Sequence, residues 1–598
     1  MFLRSSTRKK NGKEHTYWNV VENRRAAGGK VLQKQVLYLG EINSSQESAW
    51  RKTIQVFSGA ADDPPQTLAL FAEDHPAPAP VGEQQVVQIR LGDLQLRRPR
   101  QWGGCWLACQ LYDQLDLPKF WTQLLGTSRK GTRWDLVLQS LTVYRLLSPG
   151  SEWRLHRHWF EQSALADLLG ADFALAEIHK LYSCLDLVLA HKEALCTHLH
   201  QRWKDLFNAK FEVLLYDLTS TYFESEPPFA EEDKRRYGYS RDKRPDCVQV
   251  VVGLIVTPEG FPLAYEVLAG NTSDKTTLKS FLEKIEQQYG KAERIWVMDR
   301  GIPTEELLQQ MRESDPKVFY LVGTPKARLG KLEAALLERP WQQVREGVQV
   351  KLLPKEGELY VLAQSENRVN KERAMRRRQF KWLWKRLKEL QQQKLTRDQL
   401  LVKLGAAKQR ARAAWRLVEV ELPAVGQEVN AQSFKFKAST TKLREAARRE
   451  GRYLLRTNLS EENPAKLWPI YIQLTQVEEA FKNLKGDLAL RPIFHQKLER
   501  IEAHIFVAFL AYCLHVSLAR RLRDLAPGLT PRAVLEKLST IQMIDVHLPT
   551  TDGRTIILSR FTQPEKEVQM LLKALKLELP EQPPPRITAS PASPPPSV

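Results

Sequence analysis

Two short apolar runs decide the fold: V213-L-L-Y-D-L218 and R294-I-W-V-M-D299, each ending in or just after an acid, Asp217 and Asp299. Runs of this length bounded by turn residues read as buried strands rather than helices. Between them Val248–Thr257 and Pro262–Leu268 read as two further strands, joined by the turn Pro258-Glu259-Gly260, and Thr276–Tyr289 as a helix stopped by Gly290. Pro303–Arg312 then reads as a helix and Val318–Gly323 as a strand. The order βββαβαβ predicts an α/β layer built on a mixed sheet.

An acid at the carboxyl end of a buried strand sits at the rim where α/β folds bind ligands. One such Asp is more often a cap or turn former; two in neighbouring strands favour a shared site. A third acid comes from a helix expected over Pro469–Lys485, where Ile470, Leu474, Val477, Phe481 and Leu484 share one apolar stripe. Tyr471, Glu478 and Lys485 are spaced seven apart and flank that stripe, whereas Glu479 points away, toward solvent. Glu478 is therefore the acid expected to face the sheet; taken alone it would read as a surface Glu. Three carboxylates from two strands and a helix form an oxygen-only donor set, which Mg²⁺ or Mn²⁺ selects, with room for two ions. Such a pair serves in-line displacement at phosphorus. Lys485 beside the acids would then contact a phosphate.

At these residues the chain resembles the DDE transposases of bacterial insertion sequences, in the group whose third acid lies in a Tyr/Arg/Glu/Lys helix signature. The matching segments are Y216-D-L-T-S-T-Y-F-E224, G270-N-T-S-D274, V297-M-D-R-G301, Y453-L-L-R-T-N458, V477-E-E-A-F-K-N-L-K485, L490-R-P-I-F-H495 and R500-I-E-A-H504. The resemblance implies an RNase H-like mixed-sheet core interrupted by an insertion. It makes Asp217, Asp299 and Glu478 the catalytic, metal-binding triad, with Tyr471 and Lys485 as flanking signature residues. It further implies cleavage at the element's ends by a metal-activated water and strand transfer by the freed 3′-OH, in some members through a hairpin end. Double-stranded DNA, as terminal inverted repeats and as target, is the implied partner, met by a homodimer. Leu474 stands where the signature has Arg. The phosphate contact then falls to Arg491 or to a lysine such as Lys482, or activity is lower. Two other readings fit the residues: a non-catalytic DNA-binding derivative, and an RNase H-like nuclease that never joins strands.

Composition agrees with a polyanionic partner. The 598 residues carry 90 Lys+Arg against 70 Asp+Glu, a net charge of +20. Between Arg368 and Lys388 ten cations stand against one acid, Glu372, with Phe380, Trp382 and Trp384 interleaved. Arg376, Arg377, Arg378 and Lys381 are expected on a DNA-facing side. Trp382 and Trp384 either stack on an unpaired base or pack inward, the latter being commoner for Trp. Six Cys without a CxxC pair exclude a disulfide scaffold and argue against a Cys-based zinc module. No secretory signal opens the chain, and Ile505–Leu518 is too short to span a membrane, so it is expected as a buried helix in a soluble, cytoplasmic protein.

The domain order follows. Residues 1–58 form a basic β-hairpin module, with strands His15–Val21 and Val31–Leu39 about a Gly28-Gly29 turn. A Pro-rich linker covers 59–92, and 93–210 is a helical region expected to bind DNA ends, with basic hints at Arg97, Arg98, Arg100, Arg154 and Arg157. The core occupies 211–323 and 451–523, split by a basic insertion at 324–450. Residues 524–579 are a C-terminal region suited to dimer contacts, and 580–598 a disordered Pro/Ser-rich tail.

Overall fold

A computed structural model describes the chain outside residues 1, 11–12, 26–30, 43–45, 48–49, 52–86, 127, 129–130, 225–230, 300, 325–331, 333–334, 337–338, 461–463, 492 and 589–598. The expected Gly28-Gly29 turn, most of the 59–92 linker and the last ten residues of the tail lie outside the described residues. The chain divides into two compact units. The first holds the opening six residues, Tyr17–Lys291 and the chain from Thr475 on; the second holds Thr7–Thr16 and Ala292–Leu474.

The chain begins with a sheet of three strands in sequence order, β1 (Phe2–Lys10), β2 (Lys13–Arg25) and β3 (Val31–Gly40). The β2–β3 pair is the expected hairpin, Arg25 opposite Val31. After β4 (Gln95–Gln101) the longer helices are α1 (Gly103–Gln114), α2 (Leu117–Leu125), α3 (Trp134–Leu147), α4 (Ile178–Val188) and α5 (Lys192–Phe207), with short helical turns between them. Helix α3 is apolar on nearly every side and accordingly buried along its length. Then β5 (Val213–Phe223), β6 (Val248–Val256) and β7 (Pro262–Ala269) form an antiparallel meander, followed by α6 (Asp274–Tyr289). Residues opposite one another in the ladder share a face. Leu218, Gly253 and Glu266 form one such row, with Gly253 so close to Phe281 of α6 that a Cβ would lie 2.6 Å from the ring. Asp217, Leu254 and Tyr265 form a row on the opposite face.

The second unit opens with β8 (Ile295–Met298), α7 (Glu305–Glu313) and β9 (Phe319–Thr324), a parallel βαβ unit. Thr304 caps α7, accepting from the Leu307 N–H at 3.2 Å. The expected insertion carries three strands, β10 (Gln342–Arg345), β11 (Val348–Lys355) and β12 (Glu358–Ser365). Helix α8 (Glu366–Gln392) and helix α9 (Arg397–Arg410) come next, then β13 (Val418–Glu421), β14 (Lys435–Ala438), α10 (Thr440–Arg449) and β15 (Arg452–Thr457). Strand β15 inserts between β12 and β9, so the insertion extends the sheet in the order β10-β11-β12-β15-β9-β8. Leu383, Leu387 and Leu390 of α8 pack with Leu400, Leu404 and Phe434 as a small separate core. Helix α11 (Pro464–Ile472) closes the unit.

The expected helix over 469–485 is in fact two. Gln473 forms a turn, its N–H reaching only the Ile470 carbonyl, and α12 (Leu474–Lys485) starts afresh. Tyr471 therefore belongs to α11, and its seven-residue spacing to Glu478 does not run along one continuous helix. The apolar stripe of α12 is as expected: Val477, Ala480, Phe481 and Leu484 are buried.

Back in the first unit, α13 (Leu498–Leu525) is long and apolar enough to cross a membrane, yet it lies buried against α3, α4 and α1. It is the buried helix expected at Ile505–Leu518, extended at both ends. Helix α14 (Pro531–Leu538), strands β16 (Gln542–Pro549) and β17 (Thr555–Phe561), helix α15 (Lys566–Ala574) and strand β18 (Arg586–Thr588) complete the chain. They form a sheet ordered β18-β17-β16-β4, so part of the segment expected to be disordered pairs with β17. Arg100, only 1% exposed, is the tie in that sheet: it bonds Asp545 of β16 and Asp167. It is a structural arginine and does not face DNA.

Candidate active site

Asp217 is the fifth residue of β5 and half-buried. Its neighbour Tyr216 points to the other face, where its hydroxyl donates to Thr277 of α6 at 2.7 Å. On the Asp217 face, Tyr265 of the same ladder row packs on Phe509 of α13, ring centres 4.7 Å apart. Helix α13 also holds the β6–β7 turn, Tyr512 donating to the Gly260 carbonyl at 2.9 Å. Gly260 has φ +95°, which the turn requires, and a Cβ there would meet Val516, Tyr512 and Gln476 of α12. Helix α12 thus meets the β6–β7 turn beside α13, the helix that packs on the Asp217 face of the meander.

Glu479 is exposed. Burial pushes the Tyr512 phenol pKa up, and the nearby charges of Cys513 and Glu479 push it further. Glu478, about 100° further back around the helix, is exposed too. Asp299 follows the last residue of β8, at the strand's carboxyl end in the second unit, and is exposed. Each of the three is a carboxylate, the donor type that a hard divalent cation takes.

Lys485, in the same helical row as Glu478, donates to Asp242 Oδ1 at 2.8 Å, and Arg491 pairs with the same oxygen. Asp242 is only 6% exposed at its side chain, and its Oδ2 has no hydrogen-bond partner. Burial, with the charges of Arg491 and Arg241, pulls the Lys485 ammonium below its ordinary pKa even though Asp242 favours the charged form. Two cations against one carboxylate leave a net positive charge for an arriving anion.

Asp242 lies in the long connection between β5 and β6, which the sequence reading passed over. The available signal was apolar strands flanking K234-R-R-Y-G-Y-S-R-D-K-R244, six cations against one acid with two tyrosines. The Arg241 N–H donates to Ser220 Oγ of β5 at 3.2 Å, and its guanidinium reaches Asp274 of α6.

The remaining expected residues lie in the second unit. Tyr471 sits half-buried in an aromatic group with Tyr453 and Trp468. On α8, Arg377, Arg378 and Lys381 are exposed, whereas Arg376 is bound by Glu450. Trp382 packs on the small core beneath Arg410, whose guanidinium lies 4.5 Å from the ring centre. Trp384 stacks on Phe380 and meets Phe436 edge-on.

A second group of metal-type donors, Glu152, His495 and His504, comes within 4.8 Å in the first unit. Arg145 joins it, 3.3 Å from His504 Nδ1 and 3.9 Å from Glu152. Burial would raise the Glu152 carboxyl, but the bond from His495 and the neighbouring charges of His504, His495 and Arg145 prevail and hold it at about 2. A carboxylate already neutralised by a buried guanidinium is a structural knot, and the added cation would meet repulsion from Arg145.

Comparison with known proteins identifies the family. The family model described as "Transposase DDE domain" matches residues 208–514, and that described as "IS1634 family transposase, N-terminal domain" matches residues 3–56. A comparison with curated proteins gives no match. Among solved structures, a cryo-EM synaptic complex of piggyBac transposase with hairpin DNA aligns over 74% of this chain and 82% of its own, at 9% identity and TM-score 0.34. The family works with divalent metal ions on DNA. With the first match spanning half its length, and with the βββαβαβ order of an RNase H-like core, the chain belongs to the DDE transposases of insertion sequences and is a DNA transposase.

Proposed function

We propose that Asp217, Asp299 and Glu478 are the catalytic acids and hold the divalent ions, Mg²⁺ or Mn²⁺ and two in number, for cleavage at the element's ends and strand transfer into target DNA. What supports this reading is α13, which packs on the Asp217 face of the meander and meets the Glu478 helix at the Gly260 turn, with Lys485 in Glu478's own helical row. When bound, such ions activate the attacking oxygen and stabilise the leaving one. The chain's own residues do the rest. Lys485 and Arg491 hold the phosphates near the acids, and Arg491 takes the place left by Leu474 in the signature. An arriving phosphate restores to Lys485 the favourable charge environment that burial removes.

The exposed Arg377, Arg378 and Lys381 of α8 track the DNA backbone, with Arg376 fixing the helix to Glu450 and Trp382 and Trp384 supporting that face from behind. Tyr471 steadies the entry to the Glu478 helix. The N-terminal sheet and helices α1–α5 recognise the terminal inverted repeats, and two copies act on a pair of ends.

End-labelled DNA carrying the inverted repeats, incubated with the protein and Mg²⁺ or Mn²⁺, tests this. Nicked ends and joints to a target plasmid are expected, and EDTA should remove both. Binding without nicks would favour a non-catalytic derivative; nicks without joints would leave a nuclease.

A further inference from the structure

We infer that the loop carrying Tyr237 and Tyr239 is a stacking platform for an unpaired base of the DNA end, set about three base steps from the point of cleavage. The inference rests on the assignment of Asp217 and Glu478 above. Tyr239 is 83% exposed and Tyr237 54%, on either side of Gly238. Their backbone is nevertheless fixed. Arg236 and Gln249 exchange backbone hydrogen bonds at 3.1 and 2.9 Å, and Gly270 N–H donates to the Lys234 carbonyl at 2.8 Å. The buried Gln249 side chain donates to the Tyr239 carbonyl at 3.1 Å and to the Gly270 carbonyl at 2.9 Å. Gly238 lies so close to Gly270 that a Cβ would sit 2.1 Å from its carbonyl oxygen. Only glycine fits, and the two rings are presented on a rigid mount.

The cations of this loop build the mount. Arg235, 4% exposed, bonds Asp233 and Gln496, Lys234 pairs with Glu502, and Arg244 pairs with Asp246. Lys243 alone among them is classed as exposed, four residues beyond Tyr239. Aromatic faces held out to solvent beside a cation are what sequence-tolerant binding of single strands uses.

Position names the partner. Arg241, two residues from Tyr239, bonds Ser220 of β5, which shares the α6 face with Tyr216 and so anchors the base of the loop. The approach to the acids rests on Asp242, which bonds Lys485, seven residues beyond Glu478 on α12, about 10 Å at 1.5 Å per residue. A strand with its scissile phosphate at the acids therefore reaches this loop within about three base steps of 3.4 Å.

The test uses the full chain and two forms of the same end: fully paired, and pre-nicked with one to three unpaired bases. Tyr239→Ala should weaken binding of the unpaired form by roughly 5- to 100-fold, the span of one stacked base, and change the paired form less than about twofold. Tyr239→Phe should keep the preference. Equal binding of both forms by Tyr239→Ala and by the parent overturns the platform. So does loss of self-association in Tyr239→Ala without DNA, which would make the ring a contact between copies. Cleavage by the parent protein is read in the same samples. A parent that prefers unpaired ends through Tyr239 yet never cleaves would sink the catalytic assignment and leave the platform standing.

Discussion

Two segments of this protein share a composition and use it in opposite ways. Residues 376–388 of α8 and residues 234–244 of the β5–β6 connection both mix Lys and Arg with aromatics. On α8 the rings turn inward: Trp382 packs on Leu-rich core and Trp384 on Phe380 and Phe436, while Arg377, Arg378 and Lys381 stay exposed. In the loop the cations are spent on Asp233, Asp274, Asp246 and Glu502, and the tyrosines stand out. The difference is set by what surrounds each segment. A 27-residue helix generates an apolar stripe that can bury rings. A loop held against a sheet end offers no such stripe, and nearby acids capture its guanidinium groups instead.

If this contrast is right, the largest effect comes from the half-buried aromatics. Trp382→Ala should cost the insertion about 3 kcal/mol or more of stability, read by denaturant unfolding or by hydrogen exchange of α8. A loss under 1 kcal/mol would mean the ring is not part of the core. Asp242→Ala comes next: Lys485 and Arg491 lose their shared buried partner, and about 3 kcal/mol should vanish from the first unit's unfolding free energy. Asp242→Asn should recover part of that through hydrogen bonding alone. Smaller still, Arg377→Ala, Arg378→Ala and Lys381→Ala should each lower the slope of log affinity against log salt by about 0.9 while leaving stability unchanged. An unchanged slope in all three would remove α8 from the DNA surface. Last, Tyr239→Ala should shift unfolding by less than about 0.5 kcal/mol, because an exposed ring has little packing to lose.

What could be read from sequence follows the same division. Strands β5, β8 and β9 were legible because each is a short apolar run with an acid or turn residue at its end. Their order was enough for the α/β core and for the places of Asp217 and Asp299. Strand β1, FLRSSTRKK, has no apolar run and passes for a basic tail. Strands β10–β12 are masked by charge, although V348-Q-V-K-L alternates as a half-buried strand should. The break at Gln473 is invisible because the apolar stripe continues across it from Ile470 to Leu484. Long-range ties are equally silent: nothing near Arg100 announces Asp545, 445 residues away, and nothing near Lys485 announces Asp242. Composition identifies which residues can touch DNA, but only the fold decides which of them are turned outward.

The account depends most on the choice between two adjacent acids on α12. Rates of cleavage of a labelled element end should be measured for Glu478→Ala and Glu479→Ala side by side, with end binding recorded for both. Glu478→Ala should lose activity by roughly a thousandfold or more while still binding ends, and Glu479→Ala should stay within several-fold of the parent. Full cleavage by Glu478→Ala, or the reverse pattern, would contradict the assignment and with it the reading of the Asp217 side of the sheet as the catalytic one.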